Sequence, residues 1–464
     1  MAITITKKDL QKRELFLDGN VLKGVLMVCM PMAAFQLLNQ LFRVFDLAIT
    51  AQINLDSVTA VSFFNQLNNS VAAVGTGLSI GAGILIAGYY GAGNYESVKK
   101  VVNTTFFLSV AGAAVLAAVL ILSGKWVLRL ANTPEELVEV GGDYYRVIMA
   151  NLVFSFFNSV YIAVEKARGN GGRILAVNLI MAITKFGLSG IFVLVFHQGV
   201  VMVAWSTLLS NLLVTILGVY HLRNPQDVFG FSLEYVKLER SFIRKLLHIS
   251  LPVIAEKFAF STGKVVVNSV GVDYGTETVG ALGISNSISA LSTVPAGSIG
   301  DGGAAIIRQN IGSGKRNRAL QVFRSVFIVD VAWGTLGFLL TWIFLDPILV
   351  VFSNGDTAFA QLIRQIFVLE MISNIFLAVH AGIMALLYAL GYTKLSFGIN
   401  FARLFVFRIP ILFALKWFTT LSGGTAMGVV MMISNGLTGL FSVLVGVAVL
   451  RKQYSSSWLT LIKH

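Results

Sequence analysis

Twelve apolar runs of roughly 20 residues or more punctuate this 464-residue chain. A run of that length crosses about 30 Å of hydrocarbon when coiled as a helix rising about 1.5 Å per residue. With 56% hydrophobic and only 12% charged residues and a mean hydropathy of +0.79, the expected fold class is an all-α integral membrane protein with twelve transmembrane helices. The spans are predicted near 22–48, 58–89, 100–123, 138–163, 174–196, 200–221, 247–271, 279–309, 320–344, 362–388, 395–415 and 425–449.

A net charge of +13 raises the question of nucleic acid, and the distribution of charge answers it in favour of lipid. If the N-terminus is cytoplasmic, the inner segments hold 22 Lys or Arg and the outer loops four, while the outer loops carry Asp56, Glu135, Glu136, Glu139, Asp143, Asp273, Glu277, Asp346 and Asp356. That bias predicts both termini in the cytoplasm of a multi-pass cell-membrane protein. The start, MAITITKKDLQKRELFLDGN, is charged and has no short apolar core ending in a cleavage site, so no removable signal peptide is expected. Cys29 is the only cysteine, which excludes an intrachain disulfide and a cysteine metal cluster.

The first half is written again about 221 residues later. Pro31 recurs as Pro252, the Gly91-x-Gly93 of YYGAGNY as the Gly312-x-Gly314 of QNIGSGK, and Asn65 as Asn286; Asn178 meets Asn400 at 222, and Ser210-Asn211 meets Ser434-Asn435 at 224. A six-span unit starts and ends on one side, so its copy enters in the same orientation about a pseudo-twofold axis along the membrane normal. The expected organisation is an N-lobe over 1–222, a basic cytoplasmic linker over 223–246 and a C-lobe over 247–464.

Nine basic residues (Arg43, Lys185, Lys257, Lys264, Arg308, Arg324, Arg364, Arg403, Arg408) and five acids (Asp46, Glu256, Asp301, Asp330, Glu370) lie in or at the edges of the spans. A charge at the bilayer centre costs about 2.5–3.5 kcal/mol on insertion scales, so such residues normally face protein or a water-filled cavity. In span 1, Gln36, Gln40, Arg43 and Asp46 form one stripe. Lys257, Ser261, Lys264 and Asn268 form the matching stripe in span 7, as if both faced a shared cavity; an Arg43–Asp46 ion pair is the alternative. Arg403 and Arg408, five apart, are expected on different faces of span 11. His380 and Glu370 are candidates for proton exchange, with a hydrogen-bonded packing role the alternative for His380. Pro31 and Pro252 are candidate hinges. No phosphate loop, HExxH or Gly-x-Ser-x-Gly motif occurs, and the glycine-rich passages SIGAGILIAGYYGAG and GSIGDGGAAIIRQNIGSG suit close helix packing.

With these features in place the chain resembles the MATE (multidrug and toxic compound extrusion) family, of the superfamily that includes lipid-linked saccharide flippases. The resemblance rests on the Pro31-to-Asp46 helix, GLSIGAGILIAGYYGAGNYESVKK, PAGSIGDGGAAIIRQNIGSGKRNRA, VAWSTLLSN and RLFVFRIP. It implies a V-shaped pair of lobes, a transporter and no enzyme, and export of small organic compounds by alternating access. The implied drive is inward H+ or Na+, with no other cofactor, no nucleic-acid partner and a monomeric state. Asp46 matches the family's cation- or proton-binding carboxylate and Thr207 a threonine near it. Span 5 supplies Lys185 where the family has a carboxylate, so its ammonium is read as standing in for Na+ beside Asp46. Glu256 and Glu370 resemble the family's further coupling carboxylates. Gln36, Gln40, Arg43, Lys185, Thr207, Lys257, Lys264, Asp301 and Arg403 are expected to line the cavity, where the excess of basic groups suits anionic or zwitterionic cargo. A lipid-linked or anionic amphiphile flippase is the alternative function.

Overall fold

The structure, a computed structural model, describes residues 3–51, 55–124, 126, 135–353 and 356–454, with side chains described except at 41–51, 55–67, 135–141, 276 and 351. The first part contains α1 (Lys7–Leu17), α2 (Val21–Ala51), α3 (Leu55–Gly91), α4 (Tyr95–Leu122), α5 (Glu135–Ala150), α6 (Leu152–Arg168), α7 (Gly171–Gly190, continued as a π-helix over Ile191–Val195) and α8 (Val201–Leu222). The second contains α9 (Arg240–Gly271), α10 (Thr276–Gly312), α11 (Arg316–Ile343), α12 (Leu345–Ser353), α13 (Thr357–Ile372) and α14 (Asn374–Leu390). It ends with α15 (Thr393–Phe401), a π-helix (Ala402–Arg408), α16 (Ile409–Phe418) and α17 (Gly423–Tyr454). Among the described residues the only β-pairing is an isolated bridge between Thr4 and Asp227.

Every predicted span falls on one of these helices or on two or three consecutive segments. Among the described residues nine helices are long and apolar enough to cross a bilayer, or ten when α13 and α14, bent by 45°, count as one. Helices α9 and α10 are outside that set. They have the length, 32 and 37 residues, but Glu256, Lys257 and Lys264 in α9 and the Ser, Asn and Gly content of α10 lower their hydropathy.

Backbone geometry explains why certain residues recur. Gly93 and Gly314 end α3 and α10 with φ of 74° and 79°, and Gly169 and Gly391 end α6 and α14 with φ of 78° each. These left-handed caps favour glycine because a side chain there meets the backbone. The fourth helix of each copy is interrupted at one register, at Asn151 between α5 and α6 and at Ser373 between α13 and α14. The Ser373 hydroxyl donates to the Glu370 carbonyl at 2.6 Å, which competes with the helical ladder. The same helix pairings follow in both copies: α3 packs on α4 and α6 as α10 packs on α11 and α14. Tyr145 and Met149 occupy the first core, and their counterparts Phe367 and Met371 the second.

Two compact units result, Met1–Glu14 with Leu41–Phe258, and Leu15–Gln40 with Ala259–His464. They divide the chain differently from the lobes of the repeat, since their boundaries fall inside α1, α2 and α9. Pro31 and Pro252 lie within α2 and α9, both of which continue through them.

In the first unit a buried charge cluster closes the end of α6. Arg168 binds Asp227 at 2.7 Å, Asp9 at 3.1 Å and Glu165 at 3.4 Å, and lies 4.7 Å over the Phe229 ring. Glu165 also accepts from Arg173 at 3.0 Å and Asn170 at 2.8 Å. Asn170 accepts in turn from Lys12. Burial holds the Lys12 ammonium below its ordinary pKa, against the raising pull of Asp9. Arg13 anchors α1 further by donating to the carbonyls of Tyr90 (3.1 Å) and Gly91 (2.9 Å). The repeat places Leu387 and Leu390 where Glu165 and Arg168 stand, so the second copy lacks both charges of the cluster's centre.

Removing the cation from a buried cluster leaves uncompensated charge, at a cost of about 3–5 kcal/mol. Arg168→Met should lower unfolding stability by that amount and increase proteolytic cleavage at α1. Thermal unfolding and limited proteolysis in detergent check this, and wild-type values for both would refute it.

Candidate functional site

In the second unit, polar side chains from four helical segments meet in an apolar surround. The π-helix Ala402–Arg408 supplies two arginines. Arg403 donates to Asn435 Oδ1 through Nε (3.3 Å) and Nη2 (3.0 Å). Buried Arg408 donates to the same oxygen through Nη2 (2.6 Å) and to Ser434 Oγ through Nε (3.1 Å). The expectation that residues five apart diverge is corrected here. It assumed an α-helix, whereas π bonding runs from i to i+5 and puts residues five apart on one side.

Asn435 passes the connection on, donating through Nδ2 to Ser373 Oγ at 3.2 Å. One turn before that break, Glu370 is buried and accepts from Ser285 Oγ at 2.5 Å. Both guanidinium groups act on it electrostatically. The site is therefore a carboxyl group hydrogen-bonded by α10, with two fixed cations on the π segment and an amide on α17 that ties them to the helix break. In a medium of low dielectric such a network stays rigid while every member is satisfied, and a change of charge at any member is felt by all. The register puts Ile148, Met181 and Phe186 at the positions of Glu370, Arg403 and Arg408. At the position of Asn435 the first copy has Asn211, whose Oδ1 accepts from Asn158 at 3.0 Å.

A cavity of about 220 Å³ lies in the same unit between α2, α10 and α11, lined by Leu37, Leu291, Ser292, Trp333, Gly337 and Thr341 among others. Its walls are almost wholly apolar.

A family model described as MatE matches residues 31–191 and 252–414. The chain belongs to the MATE family. The two matched stretches begin at Pro31 and Pro252, the residues that open the repeat. Among curated relatives, the probable multidrug resistance protein YoeA of Bacillus subtilis is 24% identical over 81% of this chain and 82% of its own. The probable multidrug resistance protein NorM of Thermotoga maritima is 22% identical over 90% of both chains. A solved multidrug resistance MATE transporter of the MOP superfamily, in an outward-facing conformation, superposes with a TM-score of 0.87 at 19% identity, covering 97% of this chain and all of its own. The MATE membership makes this chain a transporter and no enzyme.

The residues singled out in this MATE sequence are spread over both units. Gln36 and Gln40 are half-buried on α2 in the second unit. Arg43 and Asp46, on the same helix, lie outside the residues whose side chains are described. Lys185 is half-buried on α7 in the first unit, with its ammonium 5.9 Å from the Phe186 ring. Thr207 donates to the Val203 carbonyl at 3.1 Å and its own carbonyl accepts from Asn211.

On α9 the stripe is divided. Glu256 is buried and paired with Lys257 at 3.2 Å in the first unit, and Lys264 stands 5.0 Å over the Phe260 ring in the second. The Arg403 guanidinium also lies over that ring, at 5.2 Å. Glu256 and Glu370 thus belong to different units. Asp301 is half-buried on α10. His380 is tied to Ser442 at 2.8 Å, apart from the partners of Glu370. Asn435, Ser373 and Ser285 escaped assignment from sequence. The repeated Ser-Asn pair marked Asn435 as structurally important, but the role follows only from the π turn that brings both arginines to it.

Asn435→Ala removes the acceptor shared by two buried guanidinium groups, each bond of this charged type being worth about 1.5–3 kcal/mol. It should lower stability by about 3 kcal/mol, and Asn435→Asp, which keeps an acceptor, by less. Thermal unfolding of the three proteins decides this.

Proposed function

We propose that this protein is a secondary active antiporter exporting small organic compounds, driven by an inward H+ or Na+ gradient and working by alternating access. The observation that carries the reading is Glu370, a carboxyl group buried among membrane helices with two arginines as its charged company. A group of this kind gains or loses a positive charge only at the expense of a whole network, which links ion occupancy to helix arrangement. The MATE membership and the multidrug resistance names of the relatives support small organic cargo. The excess of basic groups in the spans supports tolerance of anionic and zwitterionic compounds. The loop charges support a cell-membrane protein with both termini in the cytoplasm, and the functional form in this reading is a monomer. Asp46 and Glu256 join Glu370 as coupling groups, with the Lys185 ammonium in place of a bound cation.

Proteoliposomes loaded with a fluorescent dye test this. Efflux should accelerate when an inward pH or Na+ gradient is imposed and return to the leak rate when an ionophore collapses it; indifference to both gradients would sink the proposal. Asp46→Asn and Glu370→Gln should each reduce gradient-driven efflux at least tenfold while dye binding persists. Coupling at the wild-type rate in Asp46→Asn would leave that residue a structural partner of Arg43.

A further inference from the structure

Asp330 stands midway along α11 and is fully buried. Neither of its carboxyl oxygens has a hydrogen-bond partner, and it takes part in none of the ion pairs among the described residues. The helices packed against α11 are α10, α14 and α12. Their titratable groups within the membrane layer are Asp301 and Arg308 on α10 and His380 on α14, with Asp346 at the start of α12. Arg308 donates to the Ala389 carbonyl at 3.3 Å, His380 is held by Ser442, and Asp346 is paired with Arg364. Asp301 is the charged neighbour of Asp330, and being of like sign it neutralises nothing. Arg324, on α11 itself, lies nearly two turns away. An ionised carboxylate in this setting carries a solvation cost of several kcal/mol with no partner to offset it.

The surroundings extend toward Glu370. Ser285, Ser289, Ser292, Ala296 and Gly300 follow one face of α10 at helical spacing. Ser285 binds Glu370 at one end. At the other, a Cβ on Gly300 would sit 3.6 Å from Asp330 Oδ2 and 2.8 Å from the Ala381 carbonyl oxygen. The two carboxyl groups are therefore separated by about 22 Å along the helix, fifteen residues at about 1.5 Å each. Between them the seam of α10, α11 and α14 buries Ser292 Oγ, Trp333 Nε1 and both amide atoms of Asn374, all without hydrogen-bond partners. Gly334, one turn beyond Asp330, brings α11 against α14, where its Cβ would lie 3.8 Å from the Asn374 carbonyl oxygen. A metal cation needs a shell of several oxygen ligands, whereas a proton needs only the carboxylate itself. The repeat sharpens the point. Its 221-residue register places Ser109 at the position of Asp330, and Ser109 is satisfied, donating to the Phe156 carbonyl at 3.4 Å. The second copy alone carries an acid there.

We propose that Asp330 is a proton-loading site, at the far end from Glu370 of the polar seam through α10, α11 and α14. The proton taken up by the carboxylate comes from water at one side of the membrane and is returned to water at the other, so the site is neutral when loaded. This rests on the antiporter reading for its use in transport, but not for its existence.

Infrared difference spectroscopy of the reconstituted protein between acidic and alkaline buffer separates the two. The wild type should show a protonated-carboxyl band that disappears in both Asp330→Asn and Asp330→Ser, the second being the residue of the first copy. Both variants should also lose at least tenfold of pH-driven dye efflux while binding the dye as tightly as wild type. An unchanged band with wild-type efflux in either variant overturns the proposal, as does a wild-type band erased by Na+ at constant pH, which would make the bound charge a metal cation. Wild-type efflux that ignores the pH gradient would instead remove the antiporter reading, leaving the band to judge Asp330 alone.

Discussion

A peptide group in hydrocarbon has no water to bond, and the cost of leaving it unpaired, several kcal/mol each, fixes most of what this protein does with its backbone. Helices satisfy the main chain, and among the described residues deviations from the α form are few. The break at Ser373 is bridged by its own hydroxyl, the left-handed ends of α3, α6, α10 and α14 are glycines, and the π segment Ala402–Arg408 is pinned by two guanidinium groups. At Ser373 and at Ala402–Arg408 the deviation is also a place where polar chemistry is concentrated.

The scaffold is a duplication whose copies have diverged in charge rather than in form. Caps, helix breaks and core positions recur in register. The first copy spends its buried charge at the end of α6, where Arg168 gathers three carboxylates and holds α1. The second spends it in mid-membrane, where Arg403, Arg408 and Glu370 share one network. Among the described residues neither arrangement recurs at the matching register of the other copy.

Sequence reading went far because the membrane makes hydropathy and fold nearly one question. The helices, the repeat and the MATE membership were all legible, and the recurring Gly-x-Gly motifs were visible before their positive φ explained them. Spans 7 and 8 were legible as long helices although α9 and α10 are too polar to pass on apolarity alone. The site was less accessible. A periodicity argument presumes 3.6 residues per turn, and it failed at Arg403 and Arg408 for that reason. Nor does sequence spacing report whether a buried acid is partnered. Asp330 and Glu370 look alike in the chain, yet one accepts a bond from Ser285 and the other has none. The compact units likewise depend on where α2 and α9 pack, which the repeat does not encode.

The π turn of the eleventh span has a topological meaning besides its chemical one. A π segment is an α-helix with a surplus residue, and each residue of an α-helix turns the chain by about 100°. Everything after Arg408, from Ile409 to Phe418, is rotated by that surplus relative to a regular helix. Loss of one residue between Ala402 and Arg408 would leave the hydropathy and length of the span almost untouched. It would nevertheless turn the downstream face through more than a quarter of a circle. The span is thus tolerant in composition and intolerant in count, so length variation among relatives should avoid this stretch even where their residues differ.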